Sequence, residues 1–176
     1  MIQKKFNYYK KTPSDINEHL EILKRVSQDC SHITEMGVRG MVSSWAFLEG
    51  LRGTKGKLVS IDIKSPVDFG TDLPLIEKQI AKEKVDFKFI LGDSLKIEIE
   101  PTDFLFIDTI HIGKQLSKEL SRHASKVRKY IGFHDTESCG KELVPVIDNF
   151  LKENRNWDLF YFTRFNNGLT IIKRYV

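Results

Sequence analysis

Ile33-Thr34-Glu35-Met36-Gly37-Val38-Arg39-Gly40-Met41-Val42-Ser43-Ser44-Trp45 reads as a short strand, a glycine turn and the start of a helix. The strand ends at Glu35 or Met36, and the helix begins near Met41. Gly37 and Gly40 permit backbone angles that other residues resist, and they let a ligand lie against the main chain. The helix start leaves free N–H groups and a partial positive charge. Glu35, at the strand end, is expected at the mouth of the same crevice. Strand, turn and helix of this kind build a nucleotide-type site at the carboxyl edge of a parallel sheet. The glycines alone are a weak signal, because the dinucleotide fingerprint G-x-G-x-x-G is absent.

The acids that follow strengthen it. Asp62, Asp93, Asp108 and Asp135 each stand at the end of an apolar run. The runs predict strands at about 32–36, 57–62, 87–91, 104–108 and 129–135, and two more at 157–162 and 169–176. Helical spacing between them predicts helices near 41–51, 72–84, 113–125 and 141–152. Asn166-Asn167-Gly168 signals a hairpin, so the last strand is expected to be antiparallel. Thr12-Pro13-Ser14-Asp15 predicts a helix start, with Thr12 as N-cap, Pro13 in the first turn, and Ile16, Leu20, Leu23 and Val26 as its apolar face. Residues 1–11 are left without a decided structure.

Strands alternating with helices give an α/β fold: a Rossmann-like, doubly wound, mostly parallel seven-stranded sheet with helices on both faces. Right-handed crossovers bring all parallel strand ends to one edge. Glu35, Asp62, Asp93, Asp108 and Asp135 are then expected to converge there. The chain, 176 residues long, is expected to form one domain, with an N-terminal segment and helix over 1–30 and the core over 31–176.

Lys and Arg (28) exceed Asp and Glu (24) by four, and the basic residues are scattered. A nucleic-acid binder usually shows a denser basic face, so none is expected as partner. No apolar run is long enough to span a membrane. Cys30 and Cys139, with neither a disulfide framework nor a C-x-x-C pair, fit a reducing, cytoplasmic setting.

Five short pieces now combine: Glu35-Met36-Gly37-Val38-Arg39-Gly40 with Ser43, Ile61-Asp62, Gly92-Asp93-Ser94, Phe106-Ile107-Asp108 with His111, and Phe133-His134-Asp135-Thr136. In order and spacing the chain resembles class I S-adenosylmethionine-dependent methyltransferases, on the small-molecule O-methyltransferase and cephalosporin-hydroxylase-like branch. The resemblance covers about 33–136. It implies methyl transfer from S-adenosylmethionine to a hydroxyl of a small molecule or sugar. It implies that Glu35, Gly37, Gly40 and Ser43 surround the methionine part of the cofactor, that Asp62 takes the ribose hydroxyls, and that Asp93 and Ser94 lie at the adenine edge. It puts Asp108 beside the reacting centre, contacting both cofactor and metal, and His134 and Asp135 at the second metal-side position. The branch has a further glycine where this chain has Met41, whose side chain is expected to narrow the cofactor site or shift the turn.

Methyl transfer from a sulfonium needs alignment, and a hydroxyl acceptor must also lose its proton. His111, three residues after Asp108, is the candidate base; the alternative is a histidine that only fixes its loop. Asp108 and Asp135 suit Mg²⁺ or another hard cation, while His134 would favour a softer one; the alternative is that Asp135 caps its loop and no metal binds. Cys139 is read as an inert thiol. With no insertion large enough for a substrate cap, the acceptor site must come from the loops, the N-terminal segment or a partner subunit, and a homodimer is compatible with that. The competing reading is a non-catalytic domain that keeps the fold as a binding or scaffold unit.

Overall fold

Phe104-Leu105-Phe106-Ile107 is apolar on both sides, a pattern stable only where helices cover both faces of a sheet. In the computed structural model, which describes Met1–Tyr175, this run lies in a wholly buried strand, β4 (Thr102–Ile107). β4 lies between β1 (His32–Met36) and β5 (Val127–His134). β2 (Lys57–Asp62) and β3 (Asp86–Leu91) extend the sheet beyond β1. β7 (Leu169–Arg174) and β6 (Trp157–Thr163) close the other side, giving the order β3-β2-β1-β4-β5-β7-β6. The first five strands are parallel, and β7 is antiparallel to both β5 and β6. The expected seven-stranded arrangement is therefore the observed one. Val176, at the end of the predicted last strand, lies outside the described residues.

One face of the sheet packs on α1 (Ile2–Lys11), α2 (Leu20–Ser27), α3 (Val42–Leu51) and α4 (Leu73–Ala81). The other packs on α5 (Gly113–His123) and α6 (Gly140–Glu153). Phe47 stands edge-on to Phe104 and Phe106, with ring centres 5.7 and 5.2 Å away, and fills the middle of the first core. No described helix is long and apolar enough to cross a membrane.

The N-terminal region departs from the expectation. Residues 2–11 form a helix, and Thr12 ends it rather than capping the next one: its hydroxyl donates back to the Tyr8 carbonyl at 2.9 Å. Helical structure resumes only in a short turn at Asn17–His19 that leads into α2. Asp15 completes no capping box; its carboxylate is 3.2 Å from Arg39. Isolated propensity could not find α1, because its apolar residues are few. Ile2 and Phe6 are nonetheless buried, and the Ile2 N–H is taken at 2.9 Å by Glu83, far along the chain.

The glycine turn also differs in detail. Gly37 has φ +86°, and a Cβ there would lie 1.8 Å from the Asp108 carbonyl oxygen, so only glycine fits. Gly40 shows no such need: a Cβ there meets nothing within 4 Å. The left-handed angles fall instead on Arg39 (φ 43°) and Met41 (φ 68°). Met41 does not narrow the crevice, because its side chain is fully buried in the α1–α3 core. Left-handed backbone costs a non-glycine residue about 1 kcal/mol, whereas burying a methionine gains about 1.5–3 kcal/mol. The packing wins, so Met41→Gly is expected to lower stability by about 1–2 kcal/mol in urea unfolding. A more stable variant would show that backbone strain dominates.

Candidate active site

The parallel strands end at one edge, and the loops leaving β1, β2, β3 and β4 enclose a cavity of about 560 Å³. Gly37, Asp62, Asp93, Ser94 and Asp108 line it, together with Arg39, Ile63, Phe69, Ile110 and Gln115. A groove of about 700 Å³ between α5 and α6 meets none of these strand ends. The chemistry-bearing residues lie around the first cavity.

Asp62 organises the glycine turn. One carboxylate oxygen accepts the N–H groups of Val38 (2.7 Å) and Arg39 (3.1 Å), and the other accepts that of Lys64 (3.0 Å). Asp93 takes the Leu95 N–H at 2.9 Å, and that bond, with the nearby Lys96 ammonium, holds its carboxyl below the usual range. Both acids therefore hold their own loops while facing the crevice.

Glu35 and Ser43 are placed otherwise than expected. Glu35 is fully buried, and its side chain turns under α3 instead of to the crevice mouth. One carboxylate oxygen accepts from Ser43 (2.5 Å); the other accepts from Ser44 (2.7 Å) and Ser60 (2.6 Å). Ser43 therefore serves Glu35. Burial pushes the Glu35 carboxyl up to about 7, although all three serines favour the charged form. Glu35, Ser43 and Gly40 do not line the cavity.

Beyond Asp108 the acids and histidines meet. His111 Nε2 lies 3.3 Å from Asp108 Oδ1 and 2.9 Å from Asp135 Oδ2. His134 Nδ1 makes the same two approaches, at 3.3 and 2.9 Å. His134 is buried, and its Nε2 meets the Asp15 carbonyl oxygen at 3.0 Å. Asp135 has φ 57°, a left-handed angle that aspartate tolerates better than most residues. Its second oxygen accepts from Ser138 (2.5 Å) and from the Asn167 amide (3.0 Å).

These contacts set the charges. Hydrogen bonds to Asp108 and Asp135 raise His111 to about 10, against some loss from burial. Burial works to lower His134, but the same two carboxylates outweigh it and raise it to about 10. Burial works to raise Asp108 and Asp135, yet the histidines hold Asp108 below, and Asp135 far below, the usual carboxylate range. The two carboxylates therefore favour the protonated form of His111, which opposes a role as base for as long as these contacts are kept.

The donor set suits a divalent ion. Asp108, His134 and Asp135 each offer one ligand atom, all within 4.8 Å of one another. The His134 Nε2 contact with a backbone carbonyl is the usual support for a metal-bound imidazole. His111, Asp135 and Cys139 form a second such group, so Cys139, read as inert, lies at the edge of the cluster.

Sequence reasoning missed a second carboxylate that, like Glu35, is fully buried: Glu119 of α5. It accepts from Ser94 (2.6 Å), Thr109 (2.9 Å) and Gln115 (3.0 Å). The available signal was an acid between Leu116 and Leu120, on the apolar face of that helix.

No family model and no curated protein matches the chain. Solved structures do. An S-adenosylhomocysteine-bound methyltransferase from Podospora anserina aligns over 99% of this chain and 88% of its own, at 16% identity and a TM-score of 0.68. A Bacillus cereus O-methyltransferase in complex with the same molecule aligns over 98% and 90%, at 15% identity and 0.65. The Streptomyces achromogenes O-methyltransferase involved in tomaymycin synthesis, in complex with S-adenosylmethionine, aligns over 99% and 89%, at 13% identity and 0.68. At such identities the likeness concerns the fold, and along nearly its whole length the chain has the fold of these S-adenosylmethionine-dependent methyltransferases.

Proposed function

We propose that this protein transfers the methyl group of S-adenosylmethionine to a hydroxyl of a small-molecule or sugar acceptor. The observation that carries the reading is one cavity running from Asp62 and Gly92–Ser94 to Asp108, at the edge of the Asp108–His111–His134–Asp135 cluster. Its volume is within the usual range for a cofactor-sized ligand. Asp62 presents carboxylate oxygens to a ribose diol, while Asp93 and Ser94 border the adenine. Gly37 lines the cavity too, and the methionine part would lie along this turn. Asp108 lies where the sulfonium methyl and the acceptor oxygen meet.

Asp108, His134 and Asp135 would hold a divalent cation, and when bound it would lower the pKa of an acceptor hydroxyl. An imidazole among the ligands favours Mn²⁺ or Zn²⁺ over Mg²⁺. His111 takes the hydroxyl proton only when its hold on the two carboxylates is released and its pKa returns towards about 6.5. Until then it orients Asp108 and Asp135. Ile110 and Phe69 offer apolar surface beside the cavity.

The test is calorimetric titration with S-adenosylhomocysteine, with Mg²⁺, with Mn²⁺ and with chelator. Saturable binding is expected, and Asp62→Ala is expected to weaken it at least about tenfold. The same variant should lose about 1–2 kcal/mol of stability, because backbone N–H groups lose their acceptor. Absence of binding in every condition would favour the scaffold reading. Heats that ignore added metal would remove the cation from the proposal.

A further inference from the structure

Gln115 lies in the first turns of α5 and lines the cavity next to Ser94. Its amide is oriented by what lies behind it. Nε2 is 3.0 Å from Glu119 Oε1 and 3.2 Å from Ser94 Oγ. Glu119 is fully buried, and Ser94 and Thr109 already donate to it. A carboxylate oxygen that collects hydrogen bonds is an acceptor, so the Gln115 group facing it must be the NH₂. The hydroxyl of Ser94 points its proton at Glu119, at 2.6 Å, and therefore accepts from Gln115. The amide nitrogen is thus engaged inside the protein, where Glu119 Oε1 and Ser94 Oγ, 2.6 Å apart, share its inward N–H. The carbonyl oxygen Oε1 meets no donor among the described residues, and Gln115 lines the cavity at the end bounded by Gly92, Asp93 and Ser94.

We infer that Gln115, locked by Glu119, presents a hydrogen-bond acceptor to the exocyclic amine of the cofactor's base and thereby selects adenine over a 6-oxo purine. Gln115 is the reading residue and Glu119 the positioning residue. Adenine offers an N–H donor at this position, whereas hypoxanthine offers a carbonyl oxygen. Against the 6-oxo base two acceptors face each other, and the amide cannot turn over without pointing its own carbonyl at Glu119. A site that leaves a polar group opposed or unpaired discriminates more strongly than one that merely loses a contact. Thr109 ties Glu119 to the loop after β4, and the His123 ring, 2.7 Å from the Ser94 carbonyl oxygen, ties the adenine loop to the same helix. The network is therefore rigid on three sides. The inference rests on the cofactor reading above and adds what that reading leaves open, the means of recognising the base.

The experiment compares S-adenosylhomocysteine with S-inosylhomocysteine, its 6-oxo analogue, by calorimetry on the whole protein. The native chain is expected to prefer the adenine compound at least about thirtyfold. Gln115→Met, similar in size but with no carbonyl, is expected to lose about tenfold for the adenine compound and little for the 6-oxo compound, so the preference falls to a few-fold. Glu119→Gln keeps the shape but lets the Gln115 amide turn, and is expected to lower the preference too, mainly by improving the 6-oxo compound. Circular dichroism on both variants checks that the fold is kept. A preference unchanged in Gln115→Met overturns the inference even though the cofactor reading stands. A preference lowered in Gln115→Met but not in Glu119→Gln keeps Gln115 as the reader and removes Glu119 from the device. Failure of the native chain to bind either compound overturns both readings.

Discussion

Gly37→Ala is expected to cost more than about 3 kcal/mol of folding stability and to abolish S-adenosylhomocysteine binding. The reason is distance. A methyl group at position 37 would sit 1.8 Å from the Asp108 carbonyl oxygen and 2.5 Å from its carbonyl carbon, and these are backbone atoms that cannot rotate away. The φ of +86° adds a left-handed strain of about 1 kcal/mol. Relief requires β1 and β4 to part where the Met36 carbonyl accepts the Asp108 N–H at 2.8 Å. That movement displaces Asp108 itself, so stability and binding fall together. Overpacking of a core usually costs about 1–3 kcal/mol, and a backbone clash lies beyond that range. Urea unfolding with calorimetry on the same preparation checks it. Gly40→Ala is the control: with open space around the added methyl, its stability should stay within about 0.5 kcal/mol of the native chain. Equal losses in the two variants would mean that the turn tolerates or refuses side chains for another reason.

Glu35 gives the second large effect, as a dependence on pH. Its carboxyl titrates near 4.5 when unfolded and near 7 when buried under α3. Between those values the folded chain holds a proton that the unfolded chain has released, so stability falls as pH rises. The contribution is fully present below about pH 4.5 and is gone above about pH 7. A shift of this size corresponds to about 3 kcal/mol. Glu35→Gln cannot titrate, and its amide still bonds to the serine hydroxyls, which can donate or accept. The stability of Glu35→Gln relative to the native chain is therefore expected to rise by about 3 kcal/mol from pH 5 to pH 8. Taking the difference between the two proteins cancels the histidine titrations common to both. Urea midpoints across that range decide it, and a difference that stays flat would show that the serines keep Glu35 ionised throughout.

The same residue shows where the sequence stops being legible. A strand half exposed to water reveals its inward side by alternation, but β1 is buried at all five positions. Nothing in the pattern said on which side of the sheet Glu35 lies. The clue was chemical: Ser60 is its register partner on β2, and Ser43 and Ser44 open the next helix. The bounds of β1 and β2 were legible because a glycine or a charged residue stops each apolar run. The convergence of Asp62, Asp93 and Asp108 followed from topology alone, since parallel crossovers leave little choice. The double contact of His111 and His134 with two carboxylates did not, because it depends on side-chain directions at the ends of two strands, β4 and β5. Nor did α1, whose burial is decided by α3 and by Glu83 rather than by its own residues.

The β6–β7 hairpin bears on the order in which the molecule is completed. Its turn runs through Asn166, Asn167 and Gly168, all with positive φ. Asn166 reaches the other end of the chain, donating to the Ser14 carbonyl at 2.8 Å and offering its own carbonyl to His19 at 2.8 Å. Asn167 reaches Asp135. These contacts span about 150 residues of sequence or join the last strands to the fifth, and pairings so distant form slowly. On a ribosome, β1 to β5 and their helices can assemble while the hairpin is still being made. Until it arrives, Asp135 lacks the Asn167 amide and His19 lacks its acceptor. The nascent molecule can therefore gain its five parallel strands before its Asp–His cluster is fully braced, and that cluster is among the last parts to take final form.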